Sequence, residues 1–396
     1  MGVSSIGTWV QMTAINVVVY RLTGRGTALG LNVALQFVPM LLIGAWAGAL
    51  SDRQNRLRVT RITQSIMALQ AFAVAALAFA GWLNLPVIYV SSLVLGVLGA
   101  FDNPARRGLV IELVDPAHMS NAMALNTAVM TGSRMFGPMI AALLVRSHDP
   151  AWAFLLNGFT FLVLVVALLR VDETRLHVSP RAQRGGTPVR DGLRFVLGDP
   201  RTRAVFIALA ITATFAFNYQ VSYQLLADRR FHDLSNFGVL LGISSIGSFA
   251  GSLVTASRDT IGVRYFLGAI TMLGFSGIAM SWAPNLIVAA ILSIPVGMSG
   301  AAFIASSNVI LQQWCPPDMR GRLLALTAVA FLGTTPIGGP VTGWIGDHLG
   351  ASWSLAYGSM CCFAAAGWAA WSLRRRRRDG EAGSHSGRTE AVASAT

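Results

Sequence analysis

The sequence predicts an all-α membrane protein with twelve transmembrane helices in two pseudo-symmetric six-helix bundles. Three observations carry that prediction. The 396-residue chain is 54% hydrophobic and only 12% charged, with a mean hydropathy of +0.58, whereas soluble domains average about 25% charged residues. Charge-free stretches of bilayer-spanning length recur at 62–101, 204–227, 234–257, 265–317 and 323–346. The two halves of the chain also repeat one another at a spacing near 200 residues.

A spanning helix needs roughly 20 apolar residues, and in hydrocarbon each backbone polar group must find its partner within the segment, so the spans are helices. They are expected at about 4–21, 28–51, 60–82, 86–105, 120–145, 151–170, 203–227, 235–257, 263–283, 286–312, 321–345 and 350–373. The first is short and carries Gln11 and Asn16, with no charged arm before it. Either that helix is shortened or the true start lies upstream. No secretory signal pattern is present.

The chain contains no lysine; all thirty basic residues are arginine. Twenty-four of them fall at one set of helix ends, among them Arg53, Arg56, Arg58, Arg61, Arg106, Arg107, eight from Arg170 to Arg203, and Arg374 to Arg378. Five (Arg21, Arg25, Arg146, Arg229, Arg230) fall at the other ends, and Arg134 lies within a span. This is the asymmetry of the positive-inside rule, and it places both termini in the cytosol of a cell (plasma or inner) membrane protein. The formal charge of +13 is therefore topological, and no basic stripe with interleaved aromatics suggests nucleic acid.

Enzymatic functions are disfavoured. Without lysine there is no Walker A loop, and the six histidines are scattered through loops and tail. Cys315, Cys361 and Cys362 have neither metal-ligand nor disulfide-framework spacing, so no metal and no cofactor is expected.

The domain division follows from the longest polar loop. Residues 1–170 form the first bundle, 171–202 a cytoplasmic linker, 203–373 the second bundle, and 374–396 a basic and then disordered tail. Within the linker, Asp191-Gly-Leu-Arg-Phe-Val-Leu is either a short amphipathic helix on the inner leaflet or plain linker. Across the halves, Pro116, Met119 and Thr127-Ala128-Val129 recur as Pro316, Met319 and Thr327-Ala328-Val329, and Gly137-Pro138 recurs as Gly339-Pro340. Such a duplication is the sequence trace of a transporter whose site lies between its repeats.

The turn Gly48-Ala-Leu-Ser-Asp52-Arg53-Gln-Asn55-Arg56-Leu57-Arg58 resembles the loop 2–3 signature Gly-x-x-x-Asp-Arg-x-Gly-Arg-(Arg/Lys) of the major facilitator superfamily. Gly48, Asp52, Arg53 and Arg56 match. Asn55 stands for the third glycine, as a residue tolerant of left-handed backbone, and Leu57 replaces the last basic position. Ala100-Phe-Asp102-Asn-Pro-Ala-Arg106 and Pro317-Asp-Met-Arg320-Gly321-Arg322 resemble the bacterial branch of enterobactin exporters and macrolide-efflux-like transmembrane secretion effectors. The resemblance covers about residues 4–373.

The resemblance implies an alternating-access secondary transporter. Gly48, Asp52, Arg53, Arg56, Asp102, Arg106, Arg320, Gly321 and Arg322 would form a cytoplasmic latch. In it Asp52 faces the start of span 11, and Arg53 or Arg56 pairs with Asp102. The alternative is a topology-fixing turn with solvated charges. In span 5, Asn126, Arg134, Gly137 and Pro138 resemble an exporter Gly-Pro motif. A mid-membrane arginine needs a polar interior and a partner, so Arg134 either binds an anionic substrate group, pairs with a moving carboxylate, snorkels to one face or is a static packing charge. Gln11, Asn16, Gln36, Asn218, Tyr219, Tyr223, Gln224 and Asn308 are candidate cavity residues, each equally suited to helix–helix hydrogen bonding. Asp102 is the best proton-carrier candidate, with a structural ion pair as the alternative.

The expectation is a monomeric exporter of a hydrophobic or amphipathic small molecule, of siderophore, antibiotic or drug type. Protons as coupling ion come from the family resemblance alone. The alternatives are an importer or lipid flippase of the same fold, or a transport-inactive membrane sensor or scaffold.

Overall fold

The protein is known here through a computed structural model. It describes residues 1–147, 149–177, 188–316, 319, 323, 326–327, 329–331 and 334–393. Among the described residues these α-helices follow in order: α1 (Gly2–Thr23), α2 (Gly26–Arg53), α3 (Arg56–Phe79), α4 (Leu85–Glu112), α5 (Met119–Ser147), α6 (Ala151–Leu169), α7 (Pro188–Gly198), α8 (Pro200–Phe215), α9 (Tyr219–Arg229), α10 (Asn236–Ala256), α11 (Val263–Ser281), α12 (Leu286–Gln313), α13 (Thr335–His348) and α14 (Ala351–Ala393).

Among the described residues nine segments are long and apolar enough to cross a membrane: α1, α2, α3, α4, α6, α8 with α9, α10, α11 and α12. The three remaining predicted spans correspond to α5, the segment ending in α13, and the first part of α14. At 22 residues, or about 33 Å at 1.5 Å per residue, α1 is of full spanning length and not shortened. The linker segment around Arg194 is helical, as α7. The last helix continues through Ala393 where disorder was expected; Arg, Glu and Ala in that stretch all favour helix.

Local sequence sets the helix starts. Asn84 accepts a hydrogen bond from Val87 N–H, Asn285 from Val288 N–H, and Asp199 from the N–H groups of Arg201 and Thr202, each an N-cap. Asn55 belongs with them. Its backbone is extended (φ −68°, ψ 109°) and its side chain accepts from Arg58 N–H, so it is a cap for α3 and not the left-handed residue expected from the motif.

The seventh span is broken. A continuous helix was expected over 203–227, but α8 ends at Phe215 and α9 begins at Tyr219. The physical reason is at Asn218, whose side-chain N–H donates to Thr214 O at 2.7 Å. That is the carbonyl a continuous helix would satisfy with the Asn218 backbone N–H, so the chain can leave the helix without stranding it.

Within the first half, α2 packs on α4, α3 on α4 and α6, and α1 on α5 and α6; within the second, α12 packs on α10 and α11, and α14 on α8 and α11. Two large contacts join the halves: α2 with α13, and α5 with α10. They are one contact seen twice. Exchanging the halves turns span 2 against span 11 into span 8 against span 5, which is the expected two-fold relation.

Both joints lie at the arginine-poor helix ends, where α1 meets α2 and α6 follows α5. There Gly26 and Gly30 of α2 face Gly343 and Gly339 of α13 so closely that a Cβ at Gly30 or Gly339 would meet the opposing backbone. Small residues spaced by four let membrane helices approach in this way. Gly30→Leu is expected to wedge the joint apart at an overpacking cost of about 1–3 kcal/mol. A lowered thermal midpoint for the purified variant checks this; an unchanged midpoint would show that the joint tolerates a side chain.

Candidate functional site

The arginine-poor end is closed by a carboxylate. The start of α2 has no side-chain cap of its own. Its first amides, Gly26 N–H (2.7 Å) and Thr27 N–H (2.8 Å), together with the Thr27 hydroxyl (2.7 Å), instead donate to Asp347 at the end of α13. An anion at a helix N-terminus satisfies orphan amides and the helix dipole together. Arg229 holds that carboxylate in place. One of its N–H groups donates to Asp347 Oδ1 at 2.7 Å, and others reach Gly346 O at 2.7 Å and Gly24 O at 2.9 Å. Beside it, the Tyr20 hydroxyl donates to Asp228 Oδ2 at 2.8 Å. The bonds of Gly26 and Thr27 to Asp347, of Arg229 to Gly24 O and of Tyr20 to Asp228 run from one half of the chain to the other.

Burial works against the Asp347 charge, but the hydrogen bonds from Thr27, Gly26 and Arg229 outweigh it and hold the carboxyl below its ordinary value.

Below this seam a cavity of about 510 Å³ lies between the bundles. Its lining reaches from mid-span to Ser252 on α10 and Asn308 on α12, toward the arginine-rich helix ends. One wall is aromatic: Trp9, Phe37, Phe217, Tyr219 and Phe331. Phe217 sits 5.6 Å from the Tyr219 ring and 5.1 Å from Phe331, measured between centroids. Another wall is the hydroxyl row Ser244, Ser248, Ser252 with Ser245. Asn218, Gln220 and Asn308 also line it, and Arg134 is its one ionised lining residue among those described.

A second cavity of about 240 Å³ lies among α1 to α5 and shares Trp9, Phe37 and Arg134 with the first. Asp102, 1% exposed, sits at its wall. Asp102 Oδ1 accepts from the Thr63 hydroxyl and from Gln64 Nε2, each at 2.9 Å, and Oδ2 pairs with Arg106 at 3.3 Å. The carboxylate is thus fully engaged, as a buried charge must be.

The structure redistributes the predicted site. Asp102 does not pair with Arg53 or Arg56. Arg53 is exposed, and Arg56 pairs with Glu112 at 3.1 Å. Glu112 lies ten residues beyond Asp102, about 15 Å along α4, so a side chain at the start of α3 reaches the former and not the latter. Gly48 lies in the last turns of α2 with open space around it. The Asp52 side chain and Arg320, Gly321 and Arg322 lie outside the described residues.

Of the cavity candidates, Asn218, Tyr219 and Asn308 line the space between the bundles, and Gln36 lines the smaller one. Gln11 and Asn16 do not. Gln11 bonds Gln70 at 3.1 Å and Asn157 at 2.6 Å; Asn16 bonds Asn32 at 2.7 Å and also Gln220. Tyr223 is wholly buried behind the wall, 3.5 Å from the Ser244 hydroxyl. Gln224 is buried as well, with neither amide atom partnered among the described residues. In lipid, burying amides against one another is the favoured use for most of them. In α5, Gly137 lets α1 approach at Trp9, Pro138 lines the central cavity and Asn126 does not.

Sequence reasoning missed Asp347, the serine row and most of the aromatic wall. Two signals were available. Gly343-x-x-x-Asp347 repeats the Gly48-x-x-x-Asp52 spacing, and Ser244-x3-Ser248-x3-Ser252 is a one-face helical period.

Two bundles of membrane helices joined by a two-fold pair of contacts around a central cavity define a transporter of the major facilitator class. The fold is similar to that of a bacterial homolog of the human lysosomal transporter Spinster in an inward-facing, occupied conformation (TM-score 0.72, 13% identity, 94% of each chain). It is also similar to a D-xylose–proton symporter (TM-score 0.68, 15% identity, 92% of this chain and 95% of that one). The chain belongs to the transmembrane secretion effector family, which it matches over residues 2–391. It is similar to the staphyloferrin A transporter of Staphylococcus aureus (22% identity over 330 residues, 81% of each chain). The same holds for the multidrug efflux pump Tap of Mycolicibacterium fortuitum (25% over 344 residues, 82% and 83%) and the enterobactin exporter of Escherichia coli (23% over 354 residues, 87% and 83%). The chain is a multi-pass membrane transporter and not an enzyme.

Two outcomes follow from the charges. Asp347→Asn removes the anion from the α2 N-terminus; hydrogen bonds to a charged group contribute about 1.5–3 kcal/mol each, so the closed end should open more often. A cysteine at Leu29 should then react faster with an impermeant thiol reagent. A depressed carboxyl contributes its stability above the unfolded value of about 3.9 and loses it as pH falls through the lower folded value, so labelling of the parent protein should be flat from about pH 5 to 8. Asp102→Asn strands the Arg106 guanidinium and should lower stability by up to about 3–5 kcal/mol. Adding Arg106→Gln should restore most of it, as read in a thermal double-mutant cycle.

Proposed function

We propose that the chain is a proton-coupled exporter of small amphipathic molecules, working by alternating access. The observation that carries this reading is the cavity between the bundles, sealed at one end by the Asp347 seam and lined from mid-span toward the other. Arginines crowd the helix ends on the open side, and the positive-inside rule assigns that side to the cytosol. Both termini and the 171–202 linker with α7 then lie in the cytosol, and the state described is inward-facing, ready to take cargo from within.

Export is supported by the relatives named above, whose cargoes are siderophores and drugs. A cavity of about 510 Å³ suits such cargo, since small-molecule sites usually measure about 300–1,000 Å³. The aromatic wall offers apolar area, and the serine row offers hydroxyls that can turn to either donor or acceptor. Outward opening requires the α2–α13 and α5–α10 joints to separate. In that state Asp52 would cap the start of span 11 at the cytosolic end, just as Asp347 caps α2 at the outer end. Asp102 is the proposed proton carrier, because among the described residues it is the one carboxylate on the wall of either cavity.

The test is accumulation of siderophores and antibiotics in cells with and without the gene. Expression should lower accumulation of at least one compound, and a protonophore should abolish the difference. Asp52→Asn should reduce export several-fold at equal protein level. Raised accumulation on expression would instead identify an importer, and no change for any compound would favour a transport-inactive membrane sensor.

A further inference from the structure

The two cavities meet at Arg134, and the charge there is unbalanced. The guanidinium is exposed to the cavities and lies over the Trp9 ring at 5.4 Å. Among the described residues no carboxylate pairs with it. Among the described residues the central cavity has no other ionised residue in its lining. The smaller cavity adds Arg106, Arg107 and Asp102, and Asp102 is already spent on Arg106. Arg107 and Arg134 are left over. A cation held at mid-membrane without a counter-charge is unfavourable, and a site arranged in this way fits a ligand that brings the missing negative charge.

Two further observations point to the same ligand. The break in span 7 starts α9 at Tyr219, and its first residues line the central cavity. That N-terminus carries no side-chain cap among the described residues, so the positive end of a helix dipole borders the cavity that Arg134 also lines. On the cavity walls two buried polar groups lack partners among the described residues: Gln36 Nε2 on the smaller cavity and the Tyr219 hydroxyl, beside Gly300, on the larger. Gln36 is 6% exposed. Both can donate hydrogen bonds, and donors left unpaired in a buried site are rare unless a ligand meets them.

Resting on the transporter reading, we propose that the cargo is an anion with an aromatic body. Its acidic group, a carboxylate or another singly charged oxyanion, docks at Arg134 with Gln36 and the α9 N-terminus as further donors. Its ring system lies on Trp9, Phe217, Tyr219 and Phe331. Arg134 is the element of charge selection, and the aromatic wall accepts bodies of varied outline. An anion entering the cavity neutralises Arg134 for the time it is bound, so loading lowers the electrostatic cost of enclosing the site when the bundles rock.

The experiment uses three probes with one ring and three charges: 1-naphthoate, 1-naphthamide and 1-naphthylmethylammonium. Binding to the purified full-length transporter is measured by titration calorimetry. The wild type should bind naphthoate at least ten-fold more tightly than naphthamide, with the ammonium weakest. Arg134→Gln should bring the acid and the amide to within about two-fold of each other, and Arg134→Lys should keep most of the preference. Equal binding of the three probes by the wild type, or a preference for the ammonium, overturns the proposal without any variant. A naphthoate preference that survives Arg134→Gln overturns it too. If the cell assay finds no export while the charge preference and its dependence on Arg134 hold, the anion site stands and the export reading fails.

Discussion

One carboxylate joins the two halves of this protein. Asp347, at the end of α13, takes the place of the missing N-cap of α2 in the opposite bundle, and Arg229 fixes it there. The arrangement depends on close approach: Gly26 and Gly30 against Gly339 and Gly343 bring the helices together near enough for the side chain to reach the free amides. Because the seam is confined to one end of the helices, the space between the bundles is left open below it. The cavity, its aromatic wall and the exposed Arg134 all follow from where that seam lies. A long helix pair sealed along its whole length would leave no room for cargo.

Both bundles satisfy their polar atoms in lipid by internal hydrogen bonds. The first uses amide chains: Asn157 to Gln11 to Gln70 to Ser91, and Asn16 to Asn32 to Ser92. The second returns several hydroxyls to its own helices, as Ser245, Thr255, Ser281 and Thr342 each bond the carbonyl four residues back, and also bonds between helices, with Ser222 donating to Ser354 O and Ser248 to Gly297 O. Its helices then meet on glycine, with Gly247 and Gly251 of α10 against Ile294 and Met298 of α12.

The reading of Asp102 shows how far residue type can be followed without geometry. Its burial and need of a cation were legible, since a charge beside a forty-residue apolar stretch has few options. The partner was not legible. The turn at 53–58 offered several arginines close in sequence to α3, but Arg106, one helical turn away on the same face, was already there. The amides went the same way: Gln11 and Asn16 were recognised as inward-facing, yet an inward face borders both a cavity and a neighbouring helix, and only packing separates the two.

The sequence by itself determined the membrane class, the helical spans, the duplicated halves and the arginine asymmetry. These follow from transfer energies and periodicity, which act residue by residue along the chain. It also carried the Gly-x-x-x-Asp turn that places a carboxylate at the end of span 2. Tertiary structure alone decided that the working carboxylate of the closed end is Asp347, that span 7 breaks at Asn218, and that Arg134 faces a cavity without a counter-ion. Each of these depends on the distance between atoms of helices remote in sequence. Electrostatic and hydrogen-bond energies fall away within a few ångströms, and no one-dimensional pattern records such distances.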